Sequence, residues 1–405
     1  MSGAPVAITG LGAVSGFGWG VGAFWQGLLA GATAIRDFRR FDHSAFRTHV
    51  ASEVPAEFAA EAWSDRARTT LADRFALFAA SEALAAAGLP ERLDGVAAGL
   101  FFGSSTGGML EAEEFFAELT APARRRIPIG RLAAQQPCGP GDAVARVHGV
   151  GGPVETIASA CASATLALGS ALDALRAGEI DLALAGGADS LCRLTFAGFN
   201  SLRAVDPRPC RPFRAEREGM SVGEGGAVLV LETRAHAERR GARVLGWLAG
   251  VGASCDAHHM TAPDPAGDGI SRAVAAALAD AGVDAAAIDF VNLHGTGTPA
   301  NDAAEARMLA RIFGERVARL PATSTKGAVG HYLGAAGAIE AVATLLCLEH
   351  GLVHPTPGEG TPDPNAPVDL VVGAARPVPG ARLALSTNLA FGGANAAAIL
   401  RGAGA

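Results

Sequence analysis

Short apolar runs alternate with longer amphipathic stretches along almost the whole chain, and this alternation predicts its elements. Pro5–Gly10 reads as a buried strand and Val21–Ala30 as a short helix with Trp25 and Leu28 inward. Leu71–Gly88 is amphipathic and closes on a glycine of the kind that caps helix C-termini. Val96–Gly103 is a strand that runs into the turn-forming Ser104-Ser-Thr-Gly-Gly, and Glu111–Leu119 is helical. A β-rich run from Glu155 breaks on small residues at Cys161 and continues as an alanine-rich helix to about Ala177, followed by a strand over Asp181–Ala188. Ser201–Glu218, rich in Pro and Arg, reads as an ordered surface loop. Strand Ala227–Glu232 and helix Arg234–Arg240 follow, and the long apolar strand Val244–Ser254 opens a second series. That series contains helix Gly269–Gly282, strand Phe290–Leu293, helices Ala303–Phe313 and Leu333–Glu349, and strands Asp369–Val372, Leu383–Asn388 and Ala396–Leu400. Alternating strands and helices imply α/β layers. The comparable element order of the two series suggests a duplicated unit, divided at 243/244.

Composition narrows the reading. The chain has 405 residues, 49% hydrophobic and only 18% charged, which suits a large, heavily buried α/β core. Its net charge of −7 argues against a nucleic-acid partner, which needs a basic face. The N-terminus lacks a basic region followed by an apolar core, and the uncharged run Thr156–Leu172 is too short and too weakly apolar to span a bilayer. A cytoplasmic enzyme without membrane contact is expected. Six scattered cysteines (Cys138, Cys161, Cys192, Cys210, Cys255 and Cys347) form no CxxC pair, so neither a disulfide framework nor a metal site is expected.

Four stretches hold candidate chemistry. Cys161 stands where a strand turns into a helix, so the positive end of the helix dipole is expected to lower its pKa and make it a nucleophile. Its neighbours Ala160, Ala162, Ser163 and Ala164 leave room for a thioester and for backbone N–H groups to approach an oxyanion. His294 ends a strand and opens into a Gly/Thr turn. Lys326 and His331 flank a second flexible turn, where the lysine can orient a histidine or supply positive charge. Phe391 is the one large ring in a glycine turn. Taken singly, each has an ordinary structural explanation, from a buried thiol acting as a small hydrophobe to a solvated lysine.

Together, Ser159-Ala-Cys161-Ala-Ser, His294-Gly-Thr-Gly-Thr-Pro, Lys326-Gly-Ala-Val-Gly-His331 and Phe391-Gly-Gly-Ala-Asn resemble the signature blocks of the β-ketoacyl-acyl-carrier-protein synthases, in that family's order. Ala7-Ile-Thr-Gly-Leu-Gly-Ala-Val-Ser, Arg211-Pro-Phe-Arg, Asp256-Ala-His-His-Met-Thr and Asn301-Asp-Ala-Ala-Glu extend the resemblance over essentially the whole chain. The resemblance implies a thiolase-like fold of two duplicated halves in α/β/α/β/α layers. Residues 1–243 would carry the nucleophile and residues 244–405 the two histidines.

It also implies the chemistry. Cys161 would take an acyl chain from acyl carrier protein, and His294 and His331, oriented by Lys326, would assist decarboxylation of a malonyl thioester. The backbone N–H groups of Cys161 and Phe391 would form an oxyanion hole. Thr296 and Thr298 would hold the phosphopantetheine arm, which the carrier protein brings, so no cofactor of the enzyme's own is implied. Met220, Ala390 and Gly392 would border the substrate. The second histidine favours elongation over initiation. The chain would act as a homodimer or pair with a chain-length factor; a non-catalytic chain-length partner would lack the cysteine. Arg66, Arg68, Arg203 and Arg208 are candidates for docking the acidic carrier protein, and the stretch Arg124–Gly139 would border the acyl pocket.

Overall fold

The structure, a computed structural model, describes residues 3–56, 69–122, 129, 132 and 135–404. Arg66, Arg68 and the basic run Arg124–Arg126 therefore lie outside the described residues. Among the described residues one mixed sheet runs edge to edge through Asp369–Leu370, Pro321–Thr323, Phe290–Asn292, Leu383–Leu389, Ala394–Gly402, Gly246–Cys255, Val6–Ser15, Gly225–Glu232, Leu182–Asp189, Ala98–Gly103 and Val154–Ile157.

The two sides of this path repeat one another. In each half the first strand is innermost, the last two follow it as antiparallel neighbours, and the second and third complete the half in parallel pairing. Asp369–Leu370 is an addition at the outer edge of the second half. The halves join where Val6, Ala7 and Ile8 pair with Leu248, Trp247 and Gly246.

Helices complete the layers. Ser163–Arg176 and Ala336–His350 pack between the two halves of the sheet, Leu71–Ala86 covers the first half from outside, and Asp268–Ala281 covers the second. Their sequences follow from these positions. Ala336–His350 touches apolar neighbours on all sides and is buried from Ala336 to Leu348, hence its uniform apolarity. Leu333–His350 is long and apolar enough to cross a bilayer by composition, but it is a core element here. Leu71–Ala86 is amphipathic and begins at a capping box formed by Thr70 and Asp73. It lies so close to Val6–Ser15 that a Cβ on Gly10 or Gly12 would come within 2.1 or 1.9 Å of its backbone carbonyls.

The predicted elements are present, together with others that the pattern did not announce, among them the sheet strand Pro321–Thr323 and two helices. Helix Gly139–His148 was hidden by Gly-Pro-Gly, which reads as a turn although proline suits a first helical turn. Helix Arg193–Ser201 buries only Phe196 fully, too little to leave a periodic signal. One expectation is corrected. Ser201–Glu218 is not a surface loop throughout: Arg211, Arg214 and Arg217 are buried. Arg211 meets Asp206 at 2.8 Å, and Arg217 meets Asp302 at 3.1 Å and Asp363 at 2.5 Å. These acids make the burial of Arg211 and Arg217 tolerable, and Asp302 and Asp363 lie far away in sequence.

Candidate active site

Cys161 occupies the single 3₁₀ turn Ala160–Ala162 between the strand Val154–Ile157 and the helix Ser163–Arg176. The turn is tight: Ala160 is left-handed, with φ of 44°. Ser163 staples it, its Oγ accepting from the Ser159 N–H at 2.8 Å and donating to the Ala160 carbonyl at 2.6 Å. The thiol is thus held at the helix N-terminus by local hydrogen bonds that can offset the cost of a left-handed alanine.

The second half brings the polar groups. His294 follows the strand Phe290–Asn292, and Lys326 and His331 stand on either side of Ala328–Gly330. His331 Nε2 lies 3.0 Å from the Cys161 Sγ. On the far side of that ring the Leu333 N–H donates to Nδ1 at 3.0 Å. In His294 the ammonium of Lys326 donates to Nδ1 at 2.9 Å. Both Nδ1 atoms are therefore acceptors, which puts the proton of each neutral ring on Nε2. Burial, followed by the positive charge of Lys326, holds both histidines well below the usual imidazole range, so the rings are neutral. The two Nε2–H groups are two donors without positive charge beside a sulfur. The three donor atoms lie within 4.8 Å of one another, but with Nδ1 on each ring facing an N–H donor the set does not fit a metal, whose histidine ligands need Nδ1–H and an acceptor beyond it.

The expected lowering of the Cys161 pKa is corrected. Burial pushes the thiol up to about 11, against the pull of Lys326 and of the Phe391 and Cys161 backbone N–H groups. The helix dipole acts on a group enclosed by protein, and enclosure dominates. The same two N–H groups face the sulfur from opposite segments.

Thr296, Thr298, Met220, Ala390 and Phe391 line one cavity with Cys161, His294 and His331. The Thr296 and Thr298 hydroxyls are 2.9 Å apart. Lys326 stands behind His294, outside the lining. Gly392 does not line the cavity; it is exposed, with φ of 87°, and donates to the Met260 carbonyl at 2.7 Å. The Phe391 ring has a packing partner, meeting Phe199 edge-on at 5.9 Å. Among the docking candidates, Arg203 lines the cavity, with φ of 52°, and Arg208 does not.

Three residues to which the motifs assigned no role complete the site. Glu340 binds the Lys326 ammonium and accepts from the Asn388 amide at 2.7 Å. Glu305 accepts from the His294 and Gly295 N–H groups at 2.8 and 2.6 Å. Glu340 had a visible signal, the one charge in the apolar run Leu333–Leu348; Glu305 closes the stretch Asn301-Asp-Ala-Ala-Glu, where nothing local showed that it would meet the His294 backbone.

Comparisons with known proteins agree with this geometry. Residues 3–237 match the family model "Beta-ketoacyl synthase, N-terminal domain" and residues 245–358 match "Beta-ketoacyl synthase, C-terminal domain". The chain is 35% identical to 3-oxoacyl-acyl-carrier-protein synthase 2 of Staphylococcus aureus over 98% of each chain. Its structure matches "The ishigamide ketosynthase/chain length factor" with a TM-score of 0.93 and 34% identity, covering 99% of this chain and 100% of the other. A type II polyketide synthase ketosynthase in complex with its acyl carrier protein matches with a TM-score of 0.86 and 29% identity, covering 99% of this chain and 100% of that one.

Proposed function

The chain belongs to the β-ketoacyl synthase family of acyltransferases, and we propose that it elongates acyl chains by decarboxylative condensation on Cys161 in a discrete fatty-acid or polyketide system. One observation carries the assignment of roles: two neutral imidazoles, each with Nδ1 engaged by a donor, turn Nε2–H toward one thiol. Cys161 exchanges with an acyl-carrier-protein thioester, taking the acyl group and releasing the carrier thiol. The malonyl thioester then lies with its carbonyl oxygen against the two Nε2–H groups. Carbon dioxide leaves, and the electron pair forms an enolate that these donors stabilise. The enolate carbon attacks the Cys161 thioester, whose oxygen takes charge between the N–H groups of Cys161 and Phe391. Collapse releases the β-ketoacyl carrier protein and the Cys161 thiolate, which takes a proton from solvent. Lys326 fixes the His294 tautomer, and Thr296 and Thr298 hydrogen-bond the pantetheine arm, with Met220 and Ala390, but not the outlying Gly392, at the substrate's border.

On this reading the units are residues 1–243 and 244–405, the first supplying the nucleophile and the second the histidines. The enzyme works in the cytoplasm on acyl- and malonyl-loaded carrier protein, and it needs no cofactor beyond the carrier's own arm. The test separates the half-reactions. His294→Ala and His331→Ala should retain acyl transfer to Cys161 and lose malonyl decarboxylation by roughly 10²-fold or more. Normal release of labelled carbon dioxide by either variant overturns the roles.

Pairing with a chain-length factor is the second reading, favoured by exposed apolar side chains on two adjoining helices. Phe116 and Leu119 project from Met109–Thr120 and Leu194 from Arg193–Ser201, while Glu113 ties the two helices together through the Arg193 and Leu194 N–H groups. Size-exclusion of the chain alone distinguishes a homodimer from a subunit that awaits another chain.

A further inference from the structure

A second cavity lies apart from the thiol, between the turn at Arg211–Arg214 and the segment Pro355–Gly360. Arg214 lines it and is only 6% exposed, yet no hydrogen bond or ion pair reaches its guanidinium among the described residues. Its Nε is enclosed and without a hydrogen-bond partner, as is that of Arg211, but in Arg214 the terminal nitrogens are unpaired as well among the described residues. The neighbouring buried arginines differ, since Arg211 is paired with Asp206 and Arg217 with Asp302 and Asp363. The adjacent acid, Glu216, is occupied elsewhere, accepting from the Thr361 N–H at 2.9 Å and its hydroxyl at 3.0 Å. A buried cation left unpaired is costly, and its presence in a cavity wall marks a place that an anion would complete.

The rest of the wall suits an oxyanion. Arg208 and Arg211 line the same cavity, as does the hydroxyl-bearing Thr33, and Glu359 is the one acid among its lining residues. Gly358 and Gly360 have φ of 124° and 126°; a Cβ on Gly358 would stand 3.1 Å from the Arg211 Cα, and one on Gly360 would meet the Glu216 carboxylate first and the Arg214 Cβ at 3.3 Å. The N–H groups of Gly358, Glu359 and Gly360 have no backbone partner among the described residues. Glycines beside the backbone and stems of these arginines leave N–H groups open to a ligand, the backbone access that phosphate sites use. Arg211 is paired with Asp206 and Arg208 stands 3.9 Å from Glu218, so Arg214 is the cation in this wall left for an anionic ligand to complete.

We propose that this cavity binds a phosphate group, with Arg214 as its principal cation and Arg208 and Arg211 beside it. The site is independent of the condensation chemistry. Isothermal titration calorimetry of the whole chain, at constant ionic strength set with chloride, provides the test, with inorganic phosphate and adenosine monophosphate as probes. The parent should bind at least one probe saturably, one per chain. Arg214→Met, which keeps the side chain's length without its charge, should weaken that binding at least tenfold, and Arg214→Lys should fall between. Tighter binding of the monoester assigns the site to a phosphorylated small molecule, and equal binding assigns it to free phosphate. Should Arg214→Met fail to fold by circular dichroism, Arg214→Lys decides, and binding equal to the parent's refutes the site. Absence of saturable binding of both probes to the parent, or undiminished binding to Arg214→Met, overturns the proposal.

Discussion

Titration of Cys161 by alkylation tests the balance of forces at the nucleophile. With burial raising the thiol to about 11, only about one molecule in 10⁴ holds thiolate at pH 7, some 300-fold fewer than for an ordinary thiol of pKa about 8.5. The N-terminus of Ser163–Arg176 opposes this, and at its strongest such an interaction is worth about 2 kcal/mol, or roughly 1.5 pKa units. The inflection is therefore expected between about 9.5 and 11. The assay is the pseudo-first-order rate of iodoacetamide addition to Cys161 in the free enzyme, followed by mass spectrometry of its peptide from pH 6 to 11, with exposed Cys255 as an accessible control. The rate should climb nearly tenfold per pH unit from 7 to 9 without levelling. A plateau at or below pH 8 would show that the helix terminus and the His331 donor outweigh burial, and would refute the reasoning.

Three further outcomes are expected. Burial holds the Glu305 carboxyl up to about 7, so its folded pKa exceeds its unfolded one; it contributes stability fully below about pH 4.5 and loses it as pH rises through 7, a swing of about 3 kcal/mol. Glu305→Gln should therefore flatten the parent's decline in urea midpoint between pH 5 and 8, and an unchanged slope contradicts the assignment. Glu340→Gln leaves the Lys326 ammonium buried without its counter-charge and should destabilise the chain by about 3–5 kcal/mol in urea unfolding, with a loss below 1 kcal/mol counting against the pair. Phe391→Ala removes the edge contact with Phe199 and a ring from the cavity wall, so acyl loading should slow while the melting temperature stays within a few degrees; parent-like loading shows that the ring does not govern acyl entry.

Much of this architecture was legible in the chain because hydrophobic periodicity reports which face of an element is buried. The apolar runs Leu182–Ala188 and Gly225–Leu231 read as interior strands, and a histidine at a strand's end beside glycines pointed to a site. Pairing across the fold was not legible. Nothing near Lys326 in sequence says that Glu340 and Asn388 converge on it with His294, because those contacts exist only once two strands and a core helix meet. The direction of the Cys161 pKa was misjudged for the same reason: a helix terminus can be read locally, whereas enclosure depends on Phe391 and His331, both more than a hundred residues away. The lone Phe391 ring looked idle because its partner, Phe199, belongs to a helix that the pattern did not announce. Ala390, the residue before it, is not among those with positive φ, so a glycine there would add freedom and relieve no strain.

The seam at Val6–Ile8 and Gly246–Leu248 makes the reaction centre a gauge of register. The thiol belongs to one side of that seam and both imidazoles to the other. A slip of one position along it would carry the sides about 3.3 Å past each other and turn every paired side chain to the opposite face. Sulfur and Nε2, now 3.0 Å apart, would then lie beyond hydrogen-bonding reach. Turnover in this molecule thus reports more than chemistry: a chain that condenses has its two halves aligned to within one residue, and a misassembled one is inert even with every active-site residue in place.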